Sequence, residues 1–138
     1  MELKRLAILG STGFIGNRLY IDLKNQYKII SVDRKLKSKK NLKIDYLICC
    51  SGPNKFWCKR NKKSILKKSS YFAKKILNFS EKNSVKNIIY FSSIHVLKKN
   101  DKALIPYIKW HQNIEKYLKK LKINKKIIRL PNLFGKPI

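Results

Sequence analysis

The sequence predicts an α/β fold, a doubly wound parallel sheet of about five strands. Three observations predict it. Short apolar runs at 4–9, 28–33, 45–50, 87–92 and 126–130 are nearly continuous in hydrophobicity, as strands covered on both faces are. Helical patterns at 14–25, 62–83 and 106–122 alternate with them. A glycine-rich turn, Gly10-Ser11-Thr12-Gly13-Phe14-Ile15-Gly16, joins the first run to the first helix.

The elements follow in chain order. Leu6-Ala7-Ile8-Leu9 is the body of the first strand, and the glycines after it allow a tight turn that brings backbone N–H groups close to a ligand's phosphates. The helix beginning near Phe14 would point its positive end at the same charge. The second run, Tyr27 to Val32, ends at Asp33, where a carboxylate can accept hydrogen bonds from an adenosine ribose. Only eleven residues, rich in lysine, separate Asp33 from Asp45. A parallel crossover usually needs a dozen or more with a helix. Eleven extended residues reach roughly 36 Å, enough to return along a strand of about 20 Å. The expectation is an extended, polar crossover, a sheet abridged by one strand and its helix, and an edge beside the second strand guarded by lysines. In the last helix Pro106 suits the first turn, and Tyr107, His111, Ile114, Leu118 and Leu121 share one face.

The 138 residues make a single domain by length, and 43% are hydrophobic, enough for a core. No run of about 18 apolar residues spans a membrane, and the N-terminus lacks a cleavage-site pattern. Cys49, Cys50 and Cys58 are an odd set without metal-ligand spacing, so neither a disulfide framework nor a metal site is expected and a reducing cytoplasm fits. Thirty-four basic residues against seven acids give +27. Twenty-nine of the basic residues are lysines, spread along the chain, whereas dedicated nucleic-acid readout favours arginine. This charge reads as a solvated lysine-rich surface, with nonspecific, salt-sensitive polyanion binding as its consequence.

Ligands of a doubly wound sheet bind at the carboxyl ends of the strands. There the sequence delivers the glycine turn, Asp33 with Arg34, Cys49-Cys50-Ser51-Gly52-Pro53, Ser92-Ser93-Ile94-His95, and Arg129-Leu130-Pro131-Asn132-Leu133. Tyr107, at the start of the last helix, completes one candidate cleft.

In this order the motifs GSTGFIG, IDYLICCSGP, NIIYFSSIHVL, PYIKWHQNIEKYL and IIRLPNLFGKP, with the acid of the second strand, resemble the extended short-chain dehydrogenase/reductase family, the NAD-dependent nucleotide-sugar epimerases and dehydratases. The resemblance covers nearly the whole chain and implies a Rossmann-like NAD(P)-binding domain over 1–138. It implies that Gly10, Thr12, Gly13, Phe14, Ile15 and Gly16 form the pyrophosphate loop. Asp33, Arg34, Cys50 and Ser51 would lie along the cofactor, and Pro131, Asn132 and Leu133 against its nicotinamide end. Ser93 would bond the substrate's reacting oxygen and Tyr107 would exchange a proton with it during hydride transfer at a sugar carbon. NAD is the expected cofactor; Arg34 suits a 2′-phosphate, which keeps NADP as the alternative.

The chain departs from the family pattern twice. His111 stands where the family has a lysine, four residues after the tyrosine. It faces Tyr107 but is mostly neutral above a pKa of about 6.5, so it gives a tyrosinate little help. The resemblance implies a sugar-nucleotide lobe after the Arg-Leu-Pro-Asn segment; the expectation for these 138 residues is a domain without it, whose substrate site a partner chain or a second copy would complete. Other readings stay open: a catalytically silent dinucleotide-binding module, or a basic nucleic-acid-binding protein reusing the fold. Tyr107 and His111 also suit a core with satisfied polar tips, Ser93 a strand-end hydrogen-bonder, Asp33 a turn former, His95 a substrate contact, and Trp57 and Trp110 packing anchors.

Overall fold

A computed structural model of the chain describes residues 2–36, 41–97 and 102–131. Five strands, β1 (Arg5–Leu9), β2 (Lys28–Val32), β3 (Tyr46–Cys49), β4 (Asn87–Ser93) and β5 (Asn124–Leu130), form one sheet in the order β2-β1-β3-β4-β5. Every pairing is parallel. Helices α1 (Phe14–Leu23), α2 (Lys55–Arg60), α3 (Ile65–Lys82) and α4 (Ile105–Lys119) lie between the strands. The Rossmann-like α/β expectation holds, including a sheet of five strands.

The sheet buries both faces because its central strands carry runs of apolar residues, Leu6–Leu9, Tyr46–Cys49 and Ile88–Phe91, whose side chains alternate between the two faces. Ala7 and Leu9 of β1, with Leu47 and Cys49 of β3, join the large core under α3 and α4. Leu6, Ile8 and Ile48 point the other way, into a smaller cluster with Leu19 and Leu23 of α1. In α3 the buried residues Ile65, Ser69, Ala73, Ile76, Phe79 and Ser80 follow helical spacing, and in α4 Ile108, His111, Ile114, Glu115 and Leu118 do. Asn113 Nδ2 ties the two helices, donating to Ser69 Oγ at 2.7 Å and to Ser70 Oγ at 2.9 Å. Trp110 packs edge-on against Trp57 of α2, ring centroids 5.7 Å apart, as expected of packing anchors.

The crossover from β2 to β3 differs from the expected extended, polar strap. Its described part contains no helix, but Leu36, Asn41 and Lys43 take left-handed φ values of 48°, 60° and 52°. Leu36 and Ile44 are buried and Leu42 packs against the large core. Buried Asn83, just after α3, holds the returning chain: its Oδ1 accepts from the Leu42 N–H at 3.2 Å and its carbonyl from the Ile44 N–H at 3.0 Å. Three apolar side chains thus stand in for a covering helix. Residues 37–40 lie outside the described residues. β2 is an edge, as expected, but Lys28 is the only lysine within it.

Helix α2 is a second difference. Six residues are too few to show a helical period; the helix starts because Asn54 Oδ1 accepts the Trp57 N–H at 2.7 Å. The helix expected over 62–83 opens as a 3₁₀ turn, Lys62–Ser64, and the last helix stops at Lys119, leaving Leu121 beyond it.

Ser84 closes α3 at φ 49°, with its N–H donating to Glu81 O (3.3 Å) and the Val85 N–H donating to Ser80 O (2.9 Å). This paired bonding places Ser84 where glycine is favoured. Because the position is exposed, Ser84→Gly is expected to stabilise the fold by about 0.5–1 kcal/mol, read as a higher urea midpoint at unchanged slope.

Candidate functional site

The strand order reverses beside β1, with β2 on one side and β3 on the other, so a crevice opens at the carboxyl ends of β1 and β3. Gly10 ends β1 at φ +96° and lies so close to the start of the next loop that a Cβ there would be 2.9 Å from Ser51 N. The Gly13 N–H donates back to Gly10 O at 3.1 Å, and α1 begins with no capping side chain and no acidic residue in its first turn. Its first N–H groups therefore have no side-chain cap and no carboxylate of the helix to neutralise them. At Gly16 a Cβ would sit 1.9 Å from Gly10 O, so only glycine lets the helix seat on the turn. The geometry suits a diphosphate: backbone donors and a helix N-terminus, with the Cβ atoms that would crowd them missing.

Two adjoining clefts run from this turn. One, of about 730 Å³, is bounded by Gly10–Gly13, Ser31–Arg34 and Cys50–Gly52. The other, of about 270 Å³, shares Cys50–Gly52 and continues past Ile15 to Ser93, His95, Tyr107, His111 and Pro131. Asp33 and Arg34 are exposed at the rim of the first.

In the second cleft Ser93 Oγ accepts the His95 N–H at 3.2 Å, and the Ser93 hydroxyl lines the same cleft as Tyr107. Burial raises the Tyr107 phenol above its ordinary pKa, the Ser93 bond pulls it down, and the Cys58 thiol adds a smaller upward push. His111 packs edge-on against Tyr107, ring centroids 4.6 Å apart, as a spacing of four demands. Its Nδ1 shares a 2.6 Å hydrogen bond with the Tyr90 hydroxyl. Burial lowers the His111 pKa to about 4; Glu115 opposes that shift and His95 adds to it. His111 is therefore a neutral imidazole at neutral pH.

One turn further along α4, Glu115 accepts from Ser92 Oγ at 2.7 Å and from Arg129 Nη2 at 2.7 Å. Burial pushes its carboxyl pKa up, but the Arg129 and Ser92 bonds outweigh it, and the pKa lies below the ordinary value. This pair locks β4, β5 and α4 together under the cleft. Burial raises the Cys50 thiol to about 12, so Cys50 lines the site as a thiol, not a nucleophile.

Most of the expected site residues meet here. Gly10, Thr12, Gly13, Asp33, Arg34, Cys50 and Ser51 line the first cleft; Ile15, Ser93, Tyr107, His111 and Pro131 line the second. Gly16 acts through close packing, beneath the turn. Phe14 is 47% exposed and lines neither cleft, so any part it takes in the pyrophosphate loop falls to its backbone. Asn132 and Leu133 lie outside the described residues. Lys55 in the second cleft escaped sequence reasoning; Asn54, a good helix cap ahead of it, was the available signal. Among the described residues no three His, Cys, Asp or Glu side chains group as metal ligands, and no helix is long and apolar enough to cross a membrane.

No protein family and no curated protein matches the sequence. Solved structures do match the fold. A UDP-N-acetylglucosamine 4-epimerase from Methanobrevibacter ruminantium, in complex with UDP-N-acetylmuramic acid, superposes with a TM-score of 0.75 at 17% identity, over 94% of this chain and 55% of that one. An NAD-dependent NDP-hexosamine 5,6-dehydratase of tunicamycin biosynthesis gives 0.78 at 16% identity, over 97% and 56%. A UDP-glucose 4-epimerase from Stenotrophomonas maltophila with bound NAD gives 0.71 at 12%, over 91% and 52%. The chain therefore spans about half the length of these structures, and over that half it has the Rossmann-like fold of nucleotide-sugar epimerases and dehydratases.

Proposed function

We propose that the chain binds NAD in the two joined clefts and acts as the cofactor-binding half of a nucleotide-sugar epimerase or dehydratase. One observation carries this reading: the glycine turn that leaves room for a diphosphate opens directly into the cleft that holds the Ser93–Tyr107 pair. The Gly10–Ile15 backbone would hold the diphosphate, Asp33 the adenosine ribose, and Pro131 the nicotinamide end. When bound, the nicotinamide accepts or returns hydride at a sugar carbon. Ser93 orients the oxygen on that carbon by a hydrogen bond, and Tyr107 takes or gives its proton at the phenol oxygen. The sugar nucleotide would be enclosed by chain outside these residues or by a second copy. Free cysteines, Cys49 and Cys58 buried and Cys50 half-buried, and a lysine-rich composition fit a cytoplasmic protein with salt-sensitive affinity for polyanions.

A second reading, a silent dinucleotide-binding module, is favoured by His111, which is neutral and bonded to Tyr90 where a helix cation would otherwise support the phenol. Both readings require dinucleotide binding. Calorimetric titration at raised salt, which screens the lysines, is expected to show saturable one-site binding with NAD tighter than NADP. Asp33→Asn should weaken NAD binding about tenfold, the loss of a charged acceptor. No saturable binding of either dinucleotide would overturn both readings. Turnover of a sugar nucleotide would then separate the first from the second.

A further inference from the structure

Tyr107 is half-buried, and nearby positive charge is one way to offset the desolvation that holds such a phenol protonated. Tyr107 is faced from several elements. From β4 come Ser93, a neutral donor, and Tyr90, whose burial holds it protonated. From α4 come His111, neutral, and Glu115, a carboxylate of the wrong sign whose charge is answered by Arg129 of β5. β3 and the loop after it contribute the thiols of Cys49 and Cys50, both raised by burial. The turn after β4 contributes His95, and α2 contributes the Cys58 thiol and Lys55.

Lys55 differs from the rest. Its ammonium lies over the Tyr107 ring, 5.8 Å from the centroid, and 3.2 Å from His95 Nε2. An ammonium can only donate, so in this contact the acceptor is His95 Nε2. Lys55 is also well placed by its backbone. It is the first residue of α2, whose start is set by the Asn54 cap, and Trp57, two residues on, packs against Trp110 of α4, the helix that carries Tyr107. Helix packing thereby sets where the Lys55 stem leaves α2 beside the Tyr107 ring.

We propose that Lys55, steadied by His95, is the positioning cation of this cleft, supporting the ionised form of Tyr107 from α2 in place of a lysine on α4. The proposal rests on the reading of Ser93 and Tyr107 as the oxygen-handling pair, and it assigns α2 and His95 a purpose in that site. A unit charge at this range in a partly screened cleft changes a neighbour's proton affinity by about three- to tenfold.

The test uses the full chain with 3-fluorotyrosine at position 107, which acidifies the phenol and reports its ionisation by fluorine NMR while the protein is folded. Lys55→Met is expected to raise the proton affinity of this phenolate about three- to tenfold, and Lys55→Arg to restore it to within twofold of the unsubstituted chain. An unchanged titration in Lys55→Met, or equal shifts in Met and Arg variants, would overturn the proposal. NADH binding by fluorescence, run on the same three proteins, separates the two ideas. If NADH fails to bind the unsubstituted chain while the Met shift appears, the dinucleotide reading falls and the Lys55 assignment stands. If NADH binds normally and the Met shift is missing, the Lys55 assignment falls and the dinucleotide reading stands.

Discussion

Gly16→Ala is expected to abolish measurable dinucleotide binding and to destabilise the fold by about 2–3 kcal/mol. The added methyl would lie 1.9 Å from Gly10 O and 2.6 Å from Gly10 C, both backbone atoms that no side-chain rotation can relieve. Either α1 lifts from the turn or Gly10 leaves φ +96°, and either movement misaims the N–H groups meant for the diphosphate. Gly13→Ala provides the contrast. Its methyl meets only Gly10 O, at 3.4 Å, so the expected stability cost is the ordinary one of alanine at a helix cap, about 0.5–1 kcal/mol. Urea unfolding and calorimetric titration of both variants check this. Equal stability of the two variants would mean that α1 does not seat on the turn in this way.

Acid should destabilise the protein through His111. In the folded chain its pKa is lowered to about 4 from an ordinary value of 6.5. Between those values the unfolded chain binds a proton that the folded chain refuses. The stability associated with a neutral His111 is therefore complete above pH 6.5 and is lost as pH falls toward 4, by about 3 kcal/mol in all. Glu115, whose pKa lies below the usual carboxylate value, loses stability with the same sign at lower pH still. His111→Gln, with nothing to titrate, isolates the first effect. The difference in unfolding free energy between the two proteins should grow with pH from about 4 to 6.5 and then level off. A flat difference would show that His111 is not held neutral. The same neutrality has a functional side, since an uncharged His111 leaves the support of Tyr107 to some other group.

How much of this was legible in the sequence depends on the range of the interaction concerned. The strands stood out because parallel strands buried on both faces are apolar at every position, as in Leu6 to Leu9 and Ile88 to Phe91. Once they are placed, topology brings their carboxyl ends together, which is why Gly10, Asp33, Cys50, Ser93 and Tyr107 could be gathered into one cleft from order alone. The facing of Tyr107 and His111 needed only helical spacing. Features that depend on register or on short elements were hidden. Tyr90 meets His111 only because β4 and α4 pack at one particular offset. Asn83 looks like any polar residue at a helix end, yet it holds the crossover through Leu42 and Ile44. The lysines around 35–43 mask the three apolar anchors there, and α2 is shorter than two helical turns, so Lys55 reads as one more surface charge.

The central claim is that the backbone of residues 10–16 seats the diphosphate of a nicotinamide dinucleotide. A crystal structure of the chain grown with NADH tests it most directly. The expected result is diphosphate oxygens accepting hydrogen bonds from main-chain N–H groups of the turn and the first residues of α1, with the nicotinamide in the cleft of Ser93 and Tyr107. NADH bound elsewhere, or a turn whose N–H groups are closed to it in the crystal, would contradict it.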